Sequence, residues 1–210
     1  MRPNLRIKRK LIVEPIGLTA EELPKPTTGL LLFGNEHPLE LEIGSGKGTF
    51  MTDQAKARPD VNFLGLEKAR KYWMYAADRL RRNGCLNTRM ILGDAAVVLS
   101  EILADASLSA VHVYFPDPWP KKRHHKRRLI QPDFLEQVGR VLEPKGRLQV
   151  VTDYEDYFLH IEQAVRESSL IETDYRTPGS AGDGEIVGTN FERKYRREGR
   201  PFYAIAAIKP

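Results

Sequence analysis

Short apolar runs that close on a glycine loop or an acid recur along this chain, and a helical stretch follows nearly every one. Leu39–Ile43 (LELEI) alternates and enters Gly44–Gly48 (GSGKG), while Val61–Leu66 closes on Glu67. Thr88–Leu92 closes on Gly93-Asp94-Ala95, Leu108–Phe115 runs into Pro116-Asp117, and Arg147–Thr152 ends at Asp153. Between them Thr49–Arg58, Lys68–Arg82, Ala95–Leu103, Pro132–Leu142 and Tyr154–Ser168 have helical character. In the second of these, Trp73, Ala76, Ala77 and Leu80 recur at helical spacing and form an inward stripe. Pro59, Asn83-Gly84 and Pro144–Gly146 supply the stops. Strands alternating with helices predict an α/β fold, a mostly parallel sheet with helices on both faces. Leu170–Tyr175 and Pro201–Ile208 read as two last strands, making seven, with Thr177–Gly184 a loose loop between them.

The 210 residues suffice for one domain with a full core. Residues 1–38 read as a basic, largely irregular N-terminal arm carrying Pro15, Pro24 and Pro26, with a short helix at Ala20–Leu23; residues 39–210 form the domain. The net charge of +5 is clustered in Arg2–Lys10, Lys68–Arg82, Lys121–Arg128 and Arg193–Arg200. That distribution favours an acidic partner, nucleic acid before membrane surface. Cys85 is the lone cysteine, so neither an intrachain disulfide nor a cysteine-based zinc site can form. No apolar run is long enough to span a bilayer, and Leu11-Ile12-Val13 is cut off by Glu14, too short for a leader. The expected setting is cytoplasmic, with no membrane partner, no metal, and a monomer or homodimer.

In a parallel α/β sheet, ligands sit outside the carboxyl ends of the strands. That rule lines up Gly44–Gly48, Glu67, Asp94, Asp117 and Asp153 on one rim. GSGKG is not a Walker A loop, because Leu41 and Gly48 stand where that motif needs Gly and Ser or Thr. Nor is it the strict dinucleotide fingerprint, which needs glycine where Thr49 stands. What remains is Glu42-x-Gly44-x-Gly46-x-Gly48, a backbone suited to close approach of a ligand. Glu67 is placed to accept from ribose hydroxyls. Asp94 either holds an adenine amino group or caps the helix that Ala95 begins. This set marks an adenosine-type ligand, and NAD satisfies it as well.

Phe115 to Arg128 reads FPDPWPKKRHHKRR. Three prolines fix φ and force extended geometry on the residues before them, so Asp117 and Trp119 stand on a rigid turn. Lys121, Lys122, Arg123, Lys126, Arg127 and Arg128, with His124 and His125 among them, follow directly. A fixed carboxylate and an indole beside a dense cationic strip suit a nucleobase and its phosphates. The competing reading is a solvated charged loop, with Trp119 packed on the turn. His37, His112 and His160 are scattered, and His112 lies inside a strand, which suits core or surface roles. Ser45 and Ser100 lack a base partner for nucleophilic hydrolysis.

Glu42–Gly48, Glu67 and Asp94 resemble a class I S-adenosylmethionine methyltransferase, with its Rossmann-like fold. With FPDPWPKKRHHKRR, Asp153 and Thr189-Asn190-Phe191-Glu192 (TNFE) added, the chain from about Leu39 to Pro210 resembles the bacterial tRNA (guanine-N7)-methyltransferases. The glycine motif is shared widely; the other two segments are far more specific. The resemblance implies methyl transfer from S-adenosylmethionine to N7 of a tRNA guanine, the variable-loop guanine numbered 46. It assigns Glu42, Gly44, Gly46, Gly48, Glu67, Asp94, Ala95 and Asp117 to the methyl donor, and Asp117 also to catalysis. Lys121, Asp153, Thr189, Asn190, Phe191 and Glu192 match substrate-binding positions, and Arg123, His124, His125, Lys126, Arg127 and Arg128 an RNA-contacting segment. Glu192 and Asp153 are candidates to read the guanine edge, against the alternative that TNFE merely starts a helix. Two other classes stand beside this one: a non-catalytic RNA-binding module with a vestigial pocket, and a nicotinamide-dependent oxidoreductase.

Overall fold

The computed structural model describes residues 9–210. The basic residues 2–8 of the arm lie outside them. The expected alternation is present: β2 (Leu39–Ile43), α2 (Thr49–Ala57), β3 (Asn62–Glu67), α3 (Arg70–Arg82), β4 (Thr88–Leu92), α4 (Ala95–Val97), β5 (Leu108–Tyr114), α5 (Pro132–Val141), β6 (Leu142–Thr152) and α6 (Glu155–Arg166). Then come β7 (Ile171–Thr173), α7 (Asn190–Arg197) and β8 (Tyr203–Ile208). Among the described residues the sheet has eight strands, one more than the sequence suggests, in the order β1 (Gly17–Thr19)-β4-β3-β2-β5-β6-β8-β7. The extra strand is β1, which pairs in parallel with Met90–Leu92. Three residues with one aliphatic side chain give no periodic signal, so the arm reads as irregular. The short helix expected at Ala20–Leu23 is a 3₁₀ turn, Ala20–Glu22, while Ile16 is fully buried and Gly29–Phe33 forms a short α1 that the sequence did not suggest. The arm is also fastened to α3: Asp78, 1% exposed, accepts from Arg9, Arg81 and Arg82 and from the Ile12 backbone N–H.

Alternation along β2 divides the core. Leu39, Leu41 and Ile43 pack with Val98, Leu99, Leu135, Tyr157 and Ile161 on one face of the sheet. Phe50, Met51, Trp73, Ala76 and Leu80 form the other face with Phe63 and Met90. There α2 approaches so closely that a Cβ on Gly65 would lie 2.2 Å from the Met51 sulfur. Glu40 and Glu42 are nonetheless buried. Glu40 is held between Arg58 (2.5 Å) and His112 (3.1 Å). Burial acts to raise its pKa, but His112 and Arg58 outweigh it and hold the carboxyl down at about 2. His112 also bonds the Tyr114 hydroxyl at 2.8 Å, a core role as the sequence suggests.

Two boundaries differ from expectation for physical reasons. β6 begins at Leu142 rather than Arg147, bulging around Pro144 between Leu108↔Leu142 and Ala110↔Arg147. Gly146 permits this, since a Cβ there would lie 3.1 Å from the Leu108 carbonyl. The helix expected over 95–103 is one α turn followed by a π turn, Val98–Ile102.

Candidate active site

β2, β3, β4, β5 and β6 run parallel, so their carboxyl ends share one rim. β3 and β4 lie to one side of β2, and β6 lies beyond β5. The chain direction across the sheet therefore reverses between β2 and β5, the crevice where α/β sheets bind ligands. The glycine loop leaves β2 on one side of it, and the proline-rich turn leaves β5 on the other.

The loop's glycine spacing has a conformational cause. Gly44, Gly46 and Gly48 all have left-handed φ (79°, 54° and 66°), a region side chains disfavour. Gly44 faces open space, since a Cβ there would meet nothing within 4 Å. The loop is fastened to β3: Gly44 N–H donates to the Leu66 carbonyl at 2.8 Å, and Gly46 N–H to Glu67 Oε2 at 3.0 Å. Glu67 Oε1 accepts from the Ala69 N–H at 2.8 Å. Glu42 is buried beneath the loop, and its Oε2 has no hydrogen-bond partner. Burial, reinforced by the nearby Glu67 charge and opposed by Ser45, pushes its pKa up to about 8. At the end of β4, Asp94 does two things. Its Oδ1 caps α4 through the Ala96 N–H (3.0 Å), and its Oδ2 accepts from Lys68 (2.6 Å), whose bond holds the pKa below normal.

Asp117 is exposed on the β5 turn. Phe115 and Trp119 flank it with left-handed φ of 53° and 46°, costly for bulky residues and typical of functional turns. Packing enforces this shape. Phe115 lies edge-on to Tyr195 and Phe202, and Trp119 lies beneath the Arg127 guanidinium (5.1 Å) and beside His124 (5.7 Å). The basic strip is a 3₁₀ helix, Lys122–Arg127. Lys121, Lys122, Arg123, Lys126 and Arg127 are exposed; His124 and His125 are half-buried.

Arg128 departs from expectation. Its side chain is 1% exposed, so it is not part of the exposed basic strip. It donates to the Pro118 carbonyl (3.0 Å), to His125 and to Asp156, and lies 4.8 Å over the Tyr157 ring. Arg128 thus pins the Asp117 turn to α6.

TNFE likewise turns its polar groups inward. Thr189 is the N-cap of α7, accepting from the Glu192 N–H at 3.1 Å. Glu192 is wholly buried and accepts from the backbone N–H groups of Ile186 (2.6 Å), Val187 (2.8 Å) and Gly188 (2.8 Å) and from Arg196. Burial acts to raise its pKa, and these donors overcome it to lower the pKa. The carboxylate is therefore saturated by its own chain in this structure, where the sequence suggested a guanine-reading acid. Asn190 donates to the Thr49 hydroxyl at 2.8 Å, joining α7 to the helix that starts at the glycine loop. Phe191 is exposed at 39%. Asp153, at the end of β6, accepts from Arg200 at 2.7 Å, and Arg200 lies 4.2 Å over the Tyr195 ring and bridges Glu198. Sequence reasoning did not single out Arg200 or Tyr195. The only trace was the charge cluster Arg193–Arg200.

Glu192→Gln is expected to loosen residues 186–188 by about 1–3 kcal/mol, the range for disrupting buried hydrogen bonds to a charge. Amide hydrogen exchange at Ile186, Val187 and Gly188 reads this directly. Unchanged protection there would mean that the carboxylate does not hold the loop.

A switch-point glycine loop with acids on the neighbouring strand ends, and an antiparallel β6-β8-β7 edge, define a Rossmann-like methyltransferase. Residues 36–205 match a family model described as putative methyltransferase. A SAM dependent methyltransferase from Aquifex aeolicus has the same fold, with a TM-score of 0.59 at 13% identity, covering 86% of this chain and 87% of that one. The chain belongs to the tRNA (guanine-N(7)-)-methyltransferase family. The protein of that name from Rhodopirellula baltica is 40% identical over 201 residues, 91% of this chain and 73% of the relative. The one from Myxococcus xanthus is 35% identical over 207 residues, 96% of this chain and 98% of the relative. Among the described residues no helix is long and apolar enough to cross a membrane, and no group of three His, Cys, Asp or Glu could hold a metal.

Proposed function

We propose that this chain binds S-adenosylmethionine on the β2–β5 rim and transfers its methyl group to N7 of a guanine in tRNA. The observation that carries this reading is the adjacency of the two halves of the rim. An acid-lined glycine loop faces a strained turn whose next residues are a cationic helix. Three features of the loop side suit the donor: the buried, unpartnered Glu42 oxygen, the open space before Gly44, and the Glu67 carboxylate beneath Gly46. When bound, S-adenosylmethionine supplies an electrophilic methyl group on a positively charged sulfur. Glu67, Asp94 and Asp117 give the rim negative potential that favours such a cation, while the protonated Glu42 offers an unpartnered oxygen.

Guanine N7 carries a free lone pair, so the chain need not remove a proton to make it a nucleophile. Its task is orientation. The purine becomes more positive on methylation, and we assign Asp117 to stabilise that charge. Lys121, Phe191 and Asp153 are assigned to the substrate side, Asp153 exchanging its Arg200 partner for the base. Thr189, Asn190 and Glu192 hold the wall behind them. The target position, guanine 46, rests on the family resemblance, and a cytoplasmic setting on the lone Cys85. Calorimetric titration with S-adenosylmethionine should show binding. No heat up to millimolar donor would turn the reading towards an RNA-binding module.

tRNA affinity should fall steeply with salt, because each phosphate neutralised releases counterions. Lys122→Ala with Lys126→Ala is expected to lower the slope of log K against log salt by roughly 1 per lysine that contacts phosphate. Donor binding should be unchanged. Arg128 is unsuited to this test, since its removal would unpin the turn. An unaltered slope would make the strip plain solvated surface.

A further inference from the structure

A recess of about 300 Å³ opens on the α2 side of the sheet, near the amino ends of β2 and β5. It lies away from the glycine loop, which leaves the opposite end of β2. Glu40 is the acid of its lining, and Arg58, Arg147 and Arg176 are its bases. Glu40 and Arg58 satisfy each other as a two-point pair, Nη2–Oε1 at 2.5 Å and Nη1–Oε2 at 3.0 Å. The other two guanidiniums form no ion pair among the described residues, although the Asp174 charge favours Arg147.

Arg147 donates from Nη2 to the Asp174 backbone carbonyl at 2.6 Å, and its Nε is buried with no acceptor. A buried unpartnered donor is rare, and more costly on a charged group. Arg176 is brought alongside by the Gln149 side chain, which accepts from its backbone N–H at 3.0 Å. Neither guanidinium forms an ion pair among the described residues. Burial and the Arg176 charge push the Arg147 guanidinium below its ordinary pKa, and the Asp174 charge only partly offsets them. Two neighbouring like charges lining one recess, with no ion-pair partner, are what an oxyanion would resolve. Guanidinium forks match phosphate oxygens in geometry as well as charge.

We propose that this recess, lined by Arg147 and Arg176, is an oxyanion site that takes a phosphate group. The group comes either from a free phosphate compound or from the RNA backbone; the recess recognises the chemistry common to both. The proposal is independent of the methyl-transfer reading, because it concerns residues away from the rim and is tested without the methyl donor.

The test is calorimetric binding of inorganic phosphate to the full chain at constant ionic strength, alongside the salt dependence of tRNA binding. The variants are Arg176→Ala, at an exposed loop position, and Arg147→Met. Wild type should bind phosphate, and Arg176→Ala should weaken it about tenfold or more, as expected for a lost hydrogen bond to a charged group. If the phosphate belongs to RNA, Arg176→Ala also lowers the tRNA salt slope by about 1. If it belongs to a free compound, the slope is unchanged while phosphate binding is lost. Should Arg147→Met not fold, the exposed Arg176→Ala decides alone. Phosphate binding equal in wild type and Arg176→Ala, or none in wild type with an unaltered tRNA slope, overturns the proposal.

Discussion

Asp117→Ala is expected to lower the single-turnover methylation rate by about 10²–10³-fold, the effect of removing one preorganised electrostatic group. Donor affinity should change far less. The backbone around Asp117 is held from outside the residue: Phe115 packs on Tyr195 and Phe202, and Arg128 grips the Pro118 carbonyl. The substitution therefore removes the carboxylate and leaves the turn. A full single-turnover rate in the variant would remove Asp117 from the chemistry.

Glu42→Gln should stabilise the ligand-free protein while weakening donor binding by roughly tenfold, as expected when a hydrogen bond to a charged group is lost. The sign follows from the two protonation states. Burial raises the folded-state pKa to about 8, whereas the unfolded chain titrates near 4.5. Below 4.5 both forms are protonated and Glu42 contributes nothing to the pH dependence. Between 4.5 and 8 the unfolded chain releases its proton first, so stability falls as pH rises, levelling off above 8. The penalty at pH 7 is of the order of 3 kcal/mol. Glutamine has no such titration, so the variant's melting temperature should rise most at pH 8 and hardly at all at pH 4.5. The same pH dependence in variant and wild type would contradict a buried, protonated Glu42. Stability lost at a residue with an unpartnered oxygen is what a ligand site requires, because the missing interaction is left for the ligand.

Much of this was legible in the sequence because period and punctuation agreed. LELEI followed by alternate glycines read as a strand entering a tight loop suited to a ligand, and the prolines around Asp117 excluded a helix there. The parallel order then brought Glu42, Glu67, Asp94, Asp117 and Asp153 to one rim. What stayed hidden depended on long-range partners. β1 has no periodicity and exists because β4 offers it an edge. Arg128 looks like its neighbours in KKRHHKRR, and only Asp156 and Tyr157, brought up by α6, draw it inward. In the sequence Glu192 reads as a substrate contact, against the alternative of an acid favouring the start of a helix. Its burial depends on residues 186–188 folding back over it, which local sequence does not announce. Arg200 reaches Asp153 from a distant turn, and no motif links them.

The predicted reaction is methyl transfer to N7 of a tRNA guanine. Its most direct test is incubation of the full chain with methyl-labelled S-adenosylmethionine and unmodified tRNA transcript, followed by mapping of the modified nucleoside. The predicted result is 7-methylguanosine at a single site in the variable loop, absent with Asp117→Ala on the same timescale. Label on another atom or base, or none with tRNA and donor both bound, would contradict it.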